Sequence, residues 1–361
     1  MSSTTVLHSR EGLSRSGLPV HELQEMIAQS SKHLERLQRA SVLITGATGW
    51  FGTWLLDFLC TADDVLGIGI RIMALSREPA VFLGRFPGFG EDRRITWVQT
   101  DVREMSIIAE DFSHVIHAAT DSTARPGASS AEVIFDTIVE GTRRVLRYAR
   151  GNCRGFLFVS SGAVYGPATA GVARFLDGQP GGPDPASPQS AYAEGKRAAE
   201  QLCAIAASAG APVRIARCFA FVGPHMPFDQ HFAIGNFIAD AVDGRRIRIK
   251  SDGKPQRSYL YTGDLIRALL AILLDGVAGR TYNVGSDDAL TIADLADRVN
   301  HVVGGRGVEL AGAASDPTDR YVPDTTRLRS ELKFAPTISL DVAIARTAAW
   351  YRDMAGRSMS S

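Results

Sequence analysis

The chain has 361 residues, 45% of them apolar, with 39 basic side chains balanced by 39 acidic ones. That length supports a large core and suggests two lobes, while the charge balance provides neither a basic face for nucleic acid nor a polybasic membrane patch. Met1 to Ser16 is polar and Ser-rich, and no uninterrupted apolar run reaches the roughly 18 residues needed to span a bilayer, so a soluble cytoplasmic protein is expected.

The four cysteines, Cys60, Cys153, Cys203 and Cys218, show no metal-binding spacing, and three lie in apolar stretches, which predicts reduced, mostly buried thiols. No metal site is expected. Residues 17 to 39 carry Leu18, Leu23, Met26, Ile27, Leu34 and Leu37 at roughly helical spacing. An amphipathic helix ahead of the main domain is predicted, packed on the body in the preferred reading and offered to a partner in the other.

Ser41-Val42-Leu43-Ile44-Thr45 has the β-branched character of a buried parallel strand and runs directly into Gly46-Ala47-Thr48-Gly49-Trp50-Phe51-Gly52 and an apolar helix, Trp54 to Cys60. Glycines at 46, 49 and 52 permit a tight strand-to-helix turn and a close approach to a pyrophosphate, which would sit on free N–H groups at the helix start. The second strand, Arg71 to Leu75, ends in Ser76-Arg77. An acidic residue there would bind a ribose hydroxyl and favour NAD, whereas Arg77 accepts a 2′-phosphate; NAD and NADP both stay open, with NADP slightly favoured.

A third strand, Ile95 to Gln99, leads to Asp101-Val102, placed to meet the adenine. Val115 to Ala119 reads as a fourth, with Ala118 and Ala119 leaving room for the cofactor and His117 read as a strand-end residue hydrogen-bonded to backbone in preference to a catalytic one. A helix from roughly Ser130 to Tyr148 precedes the fifth strand, Gly155 to Val159, which ends in Ser160-Ser161. Gly166 to Ser190 is a Pro/Gly/Ala-rich loop, of a length that marks a functional lid or disorder. In the next helix, Tyr192 and Lys196 stand at i and i+4, on one face. An ammonium beside a phenol favours the phenolate, which makes Tyr192 a base, and the Ser161 hydroxyl can orient a substrate alcohol.

This alternation predicts an α/β fold: a doubly wound parallel sheet of Rossmann type with a smaller α/β substrate lobe, mostly C-terminal. The expected organisation is a helical extension over 1–40, a dinucleotide-binding domain over 41–220 that also receives 258–285, and a substrate lobe from 221–257 and 286–361. The glycine spacing, Asp101-Val102, His117-Ala118-Ala119, the Ser-x-x-x-Tyr-Gly turn at Ser161 and Tyr192-x-x-x-Lys196 together resemble the extended short-chain dehydrogenases/reductases, the nucleotide-sugar epimerase/dehydratase group. The resemblance covers about residues 41 to 353.

It implies that Tyr192 takes the proton of a sugar hydroxyl while the C4 carbon gives hydride to NAD(P), that Lys196 lowers the tyrosine pKa and binds the nicotinamide ribose, and that Ser161 shares the proton path. Ser161, Tyr192 and Lys196 are thus the expected catalytic residues. Gly46, Thr48, Gly49, Trp50, Phe51, Gly52, Ser76, Arg77, Asp101, Val102, Ala118 and Ala119 are expected around the cofactor, with Tyr192 and Lys196. Arg257, after the Asp252-Gly253-Lys254 turn, resembles a diphosphate-binding arginine, and a guanidinium suits that task; Arg320 resembles a second. Ala220 replaces a frequent substrate-binding Asn, for which Asn236 is a substitute, and Ile138 replaces another Asn. Phe219, Phe221, His225 and His231 would lie near the substrate or pack between the lobes.

The departure with most consequence follows Ser161. Dehydratases of this group place an Asp-Glu pair there, and this chain has Gly162 and Ala163, which transfer no proton. C4 epimerisation of a nucleotide-diphosphate sugar therefore ranks first, NADPH-dependent reduction of a 4-keto sugar next, a 4,6-dehydratase third and a non-catalytic scaffold last. The helices at 130–148 and 190–209 resemble those that pair in homodimers of this group.

Overall fold

The computed structural model describes residues 12–106, 108–120, 130–228, 232–313, 316 and 319–358; His231 lies outside them. Its centre is a seven-stranded, all-parallel sheet. The strands are β1 (Ser41–Thr45), β2 (Arg71–Ser76), β3 (Ile95–Gln99), β4 (His114–His117), β5 (Gly155–Ser161), β6 (Val213–Cys218) and a last strand, Thr281–Val284. Their spatial order runs from Thr281–Val284 through β6, β5, β4, β1 and β2 to β3. The order reverses between β1 and β4, leaving a crevice beyond the carboxyl ends of these two strands where ligands bind in such sheets.

Both faces are covered, which is why the strands read as apolar runs rather than alternating ones. The helix Trp50–Leu66 begins inside the glycine run, earlier than the Trp54 start read from hydrophobicity, because Gly49 already serves as its N-cap. The helices Ala131–Val145 and Ala191–Ser208 pack on each other, and Gly195 allows this closeness: a Cβ there would lie 3.3 Å from Ile138. Thr291 and Asp294 form the expected capping box of the helix Ile292–Val303.

The amphipathic segment folds as the helix Val20–Leu34 and belongs to the body. Leu18, Leu23, Met26, Ile27, Leu34 and Leu37 are buried in the core cluster that also holds Trp54, Phe58 and Leu269. Each such side chain contributes about 1.5–3 kcal/mol when fully buried. Just upstream, the hydroxyls of Ser14 and Ser16 and the Ser16 amide all bond the buried carboxylate of Asp57, and Arg15 pairs with Asp64 and Asp92.

All four cysteines are free, three of them buried. No helix among the described residues is long and apolar enough to cross a membrane. Shorter sheets stand beside the main one. Phe221–Val222 pairs with Leu260–Tyr261, Ile247–Ser251 with Val308–Ala313, and Gln256–Arg257 lies between Leu290–Thr291 and Arg320–Tyr321. The long loop after Gly166 is anchored rather than disordered: Phe175 stacks on Tyr165 at 5.1 Å and bridges to Pro323.

Candidate active site

Strand β1 delivers Gly46 with φ of +72°, pressed so close to β4 that a Cβ would lie 2.8 Å from the Ala118 carbonyl and the Ala119 nitrogen. Only glycine meets both demands. A Cβ at Gly52 would lie 2.3 Å from the Gly46 carbonyl oxygen, so the helix can seat on the turn only without one. No side chain caps the first turn of Trp50–Leu66, and it holds no acidic residue. Its N–H groups and positive dipole end therefore fit an anionic pyrophosphate, and Gly46, Thr48, Gly49 and the Trp50, Phe51 and Gly52 backbone would hold it.

The indoles of Trp50 and Trp54 both donate to the Pro224 carbonyl at 2.9 Å, tying this helix to the Gly223-Pro224 turn. At the end of β2, Ser76 bonds Thr48 through its hydroxyl at 2.9 Å, and Arg77 follows it. Asp101 is engaged by Arg103 through side chain and backbone; Arg103 first, and Arg77 more weakly, hold its carboxyl below the ordinary value. Val102 is buried against Gly141, where a Cβ would lie 2.7 Å from its side chain.

His117 is a positioning residue here. Thr142 donates its hydroxyl to the Ile138 carbonyl at 2.6 Å, so it accepts from His117 Nε2 at 3.0 Å. The other ring nitrogen then accepts from Thr45 Oγ1 at 2.7 Å, and Thr45 accepts the Ala119 amide at 3.2 Å. Burial first, and Lys196 second, push this imidazole down to about 3, so it stays neutral. Its partners are side-chain hydroxyls rather than backbone, and the chain of bonds fixes the backbone at Ala118 and Ala119.

Ser161, Tyr192 and Lys196 come together at the end of β5. Lys196 is buried, donates to the Val159 carbonyl at 2.8 Å and lies 5.9 Å from the Tyr192 ring. Burial lowers its pKa to about 8, against the opposing effects of Cys218 and Glu200. The Tyr192 phenol is pushed up by burial, and its hydrogen bond with Ser161 offsets this in part. Desolvation of the phenol dominates this shift, and the Lys196 ammonium keeps two further N–H groups beyond its bond to Val159.

Beneath them, Ser160 donates to Glu200 at 2.6 Å, and Glu200 forms an ion pair with Arg217 at 2.6 Å. Arg217 in turn stacks on Tyr165 with its guanidinium carbon 4.7 Å from the ring.

Of the residues expected at the substrate, Arg257 pairs with Asp319 at 2.8 Å and Arg320 donates to the Val172 carbonyl at 3.3 Å; both lie in the same three-stranded sheet. Asn236 is on the first turn of Ala233–Val242, partly buried. Phe221 packs edge-on against Phe51, and His225 is held between Phe86 and Trp350, so these two serve packing. Phe219 lies against Gly162 together with Tyr321, which sequence reasoning missed. Only Arg320, its neighbour, offered a signal. Among the described residues no cluster of His, Cys, Asp and Glu is placed to hold a metal.

A parallel sheet in this order, with a glycine turn at the point of reversal and a Tyr–Lys helix beside β5, defines a dinucleotide-binding protein of Rossmann type. Residues 42–285 match the NAD dependent epimerase/dehydratase family, and the chain belongs to it. It is thereby one of a family of NAD-dependent enzymes that modify nucleotide sugars. It is 33% identical over 242 residues to the dTDP-glucose 4,6-dehydratase of Streptomyces griseus, covering 66% of this chain and 71% of that one. It is 27% identical over 318 residues to UDP-glucuronic acid decarboxylase 1 of Arabidopsis thaliana, covering 88% and 71%. Among solved structures, the UDP-glucuronic acid 4-epimerase of Bacillus cereus in complex with NAD superposes with a TM-score of 0.72 at 20% identity, covering 87% of this chain and 99% of that one.

Proposed function

We propose that this protein is a nucleotide-sugar 4-epimerase in which Tyr192 is the base, Ser161 orients the C4 hydroxyl and Lys196 places the nicotinamide ribose and steadies the phenolate. Bound NAD(P) supplies the hydride acceptor and donor at C4. The protein's part is to hold the alcohol against Tyr192 and to pass its proton between phenol and sugar oxygen. Arg257 and Arg320 take the diphosphate, and the lobe formed by 221–257 and 286–361 receives the nucleotide.

The carrying observation is the turn after Ser161. Gly162 and Ala163 offer no acid or base, and the space beside Gly162 is filled by Phe219 and the Tyr321 hydroxyl. In the 166–190 loop, Asp177 accepts the Asn283 amide and Asp184 the Ala186 amide. Loss of water across C5 and C6 needs an acid and a base, and exchange at C4 does not. The dehydratase and decarboxylase names belong to those relatives, and the Gly162-Ala163 turn supports the epimerase reading for this chain.

Ser76-Arg77 favours a second reading, reduction of a 4-keto sugar with NADPH. The test is to denature the purified protein, identify released NAD or NADP, and incubate fresh protein with UDP-, dTDP-, GDP- and CDP-sugars, following products by NMR. A C4-inverted product is expected. A 4-keto-6-deoxy product overturns the epimerase, and net consumption of NADPH with a 4-keto sugar establishes the reductase. Tyr192→Phe should abolish turnover; a variant that still turns over sugar nucleotide removes the mechanism. We also propose a homodimer through the helices Ala131–Val145 and Ala191–Ser208, to be checked by sedimentation.

A further inference from the structure

The carbonyl of Pro224 accepts two hydrogen bonds at 2.9 Å, one from the indole of Trp50 and one from that of Trp54. Both lone pairs of that oxygen are thereby used. The donors stand one turn apart on the helix Trp50–Leu66 and differ in their surroundings. Trp54 is fully buried, whereas Trp50 is half-buried and opens the helix directly after its Gly49 N-cap. Its main-chain N–H belongs to the first turn, where N–H groups lack intrahelical acceptors and fit the pyrophosphate.

The turn that receives the indoles is held rigidly on its other sides. A Cβ at Gly223 would lie 2.4 Å from the Thr262 hydroxyl. His225, next after Pro224, has φ of +64°, a left-handed backbone that a residue with a Cβ keeps only where its surroundings impose it. Here they do: its ring bonds the Ser16 main chain and is wedged between Phe86 at 5.4 Å and Trp350 at 4.7 Å. Trp50 also meets Phe232 edge-on at 6.4 Å, and Phe232 is the N-cap of the helix Ala233–Val242, which carries Asn236.

We propose that Trp50 is a positioning residue that couples cofactor binding to sugar-nucleotide binding, its main chain facing the pyrophosphate and its indole holding the turn through which the chain enters the substrate lobe. This rests on the reading of the protein as a sugar-nucleotide enzyme with bound NAD(P). When the Trp50 N–H is bonded to a pyrophosphate, the first helical residue is fixed and its indole with it, and the Pro224 carbonyl has two donors. When it is not, the first turn frays and Trp54, one turn deeper, holds the carbonyl alone. The two states differ by one hydrogen bond, and a ligand shifts an equilibrium by no more than such a difference. The effect is reciprocal, so sugar nucleotide retains cofactor by the factor with which cofactor strengthens sugar nucleotide. One neutral hydrogen bond supports a factor of about three to ten. An enzyme that takes hydride from C4 and returns it must keep the reduced cofactor until the second transfer, and this coupling serves that need.

The test compares the parent with Trp50→Phe and Trp54→Phe, which keep an aromatic ring and lose the N–H. Exchange of bound cofactor with isotopically labelled NAD or NADP is followed by mass spectrometry of denatured protein, with and without saturating UDP, dTDP, GDP or CDP. Tm is measured alongside. The coupling should appear chiefly in the dissociation rate: in the parent, the nucleotide that binds should slow exchange about three- to tenfold. In Trp50→Phe the nucleotide should leave exchange unchanged while Tm stays close to the parent's, because Trp54 still holds the carbonyl. Trp54→Phe should lower Tm and retain the nucleotide effect.

A Trp50→Phe variant that keeps the parent's nucleotide effect overturns the proposal. So does a Trp54→Phe variant that loses the effect as fully, which would mark general loosening of the turn. A parent that binds cofactor and nucleotide without either affecting the other also overturns the coupling, and leaves the reading of the site intact. A parent that takes up neither labelled cofactor, or whose Tm none of the four nucleotides shifts, overturns that reading and this role with it.

Discussion

Lys196 Nζ donates to the main-chain carbonyl of Val159, two residues before Ser161, and this bond fixes the Tyr192 helix against β5. Replacing Lys196 by Met leaves that carbonyl without its partner and removes the cation beside Tyr192. We expect kcat/KM for sugar-nucleotide turnover to fall about 10²-fold or more. The pH dependence of stability gives a separate check. The folded pKa of Lys196, about 8, lies below the ordinary 10.5, so between these values the unfolded chain holds a proton that the folded chain does not. The stability of the parent relative to Lys196→Met should therefore rise with pH across that window and be flat below it, as urea titrations at several pH values would measure.

Gly46→Ala places a methyl group against the Ala118 carbonyl and forces φ of +72° on a residue that resists it. The turn would have to shift away from β4 at the point where a pyrophosphate is held. The expected result is loss of co-purifying NAD(P), measured on denatured protein, with about 1–3 kcal/mol of destabilisation from the strained backbone.

The Glu200–Arg217 pair under the site is poorly hydrated and also holds Ser160. Arg217→Met leaves a buried carboxylate uncompensated and should cost about 3 kcal/mol in denaturant unfolding. Adding Glu200→Leu should recover part of it, since removing both charges removes the desolvation penalty. Failure of the double variant to recover would show that the pair contributes through Ser160 or Tyr165 instead.

Leu23 is fully buried between the helix Val20–Leu34 and the body. Leu23→Ala should destabilise the protein by about 2–5 kcal/mol, and a chain lacking residues 1–37 should express in aggregated form, because its removal bares the core around Trp54 and Leu269. Retention of the parent Tm in Leu23→Ala would contradict the packing role.

The elements nearest the crevice were readable in advance because each rests on local chemistry. The glycines at 46, 49 and 52, the β-branched strand before them and the Tyr192–Lys196 spacing are contained within single segments, and the helix and strand periods place them. Boundaries were less secure: hydrophobicity put the first Rossmann helix at Trp54, while its cap is Gly49. The loop after Gly166 has the composition of a mobile segment, yet Phe175 and Asp177 tie it to the body.

The sequence by itself determined the parallel sheet, the dinucleotide turn and the row Ser161, Tyr192 and Lys196, because these depend on residue types at short, regular spacing. It also exposed the missing carboxylates at 162 and 163. Only the tertiary structure decided what stands in their place: Tyr321 meets Ser161 across 160 positions of chain, and no local pattern encodes such a contact. The same holds for the electrostatics. Tyr192 and Lys196 share a helix face in the sequence, but their pKa shifts follow first from burial, which folding alone supplies.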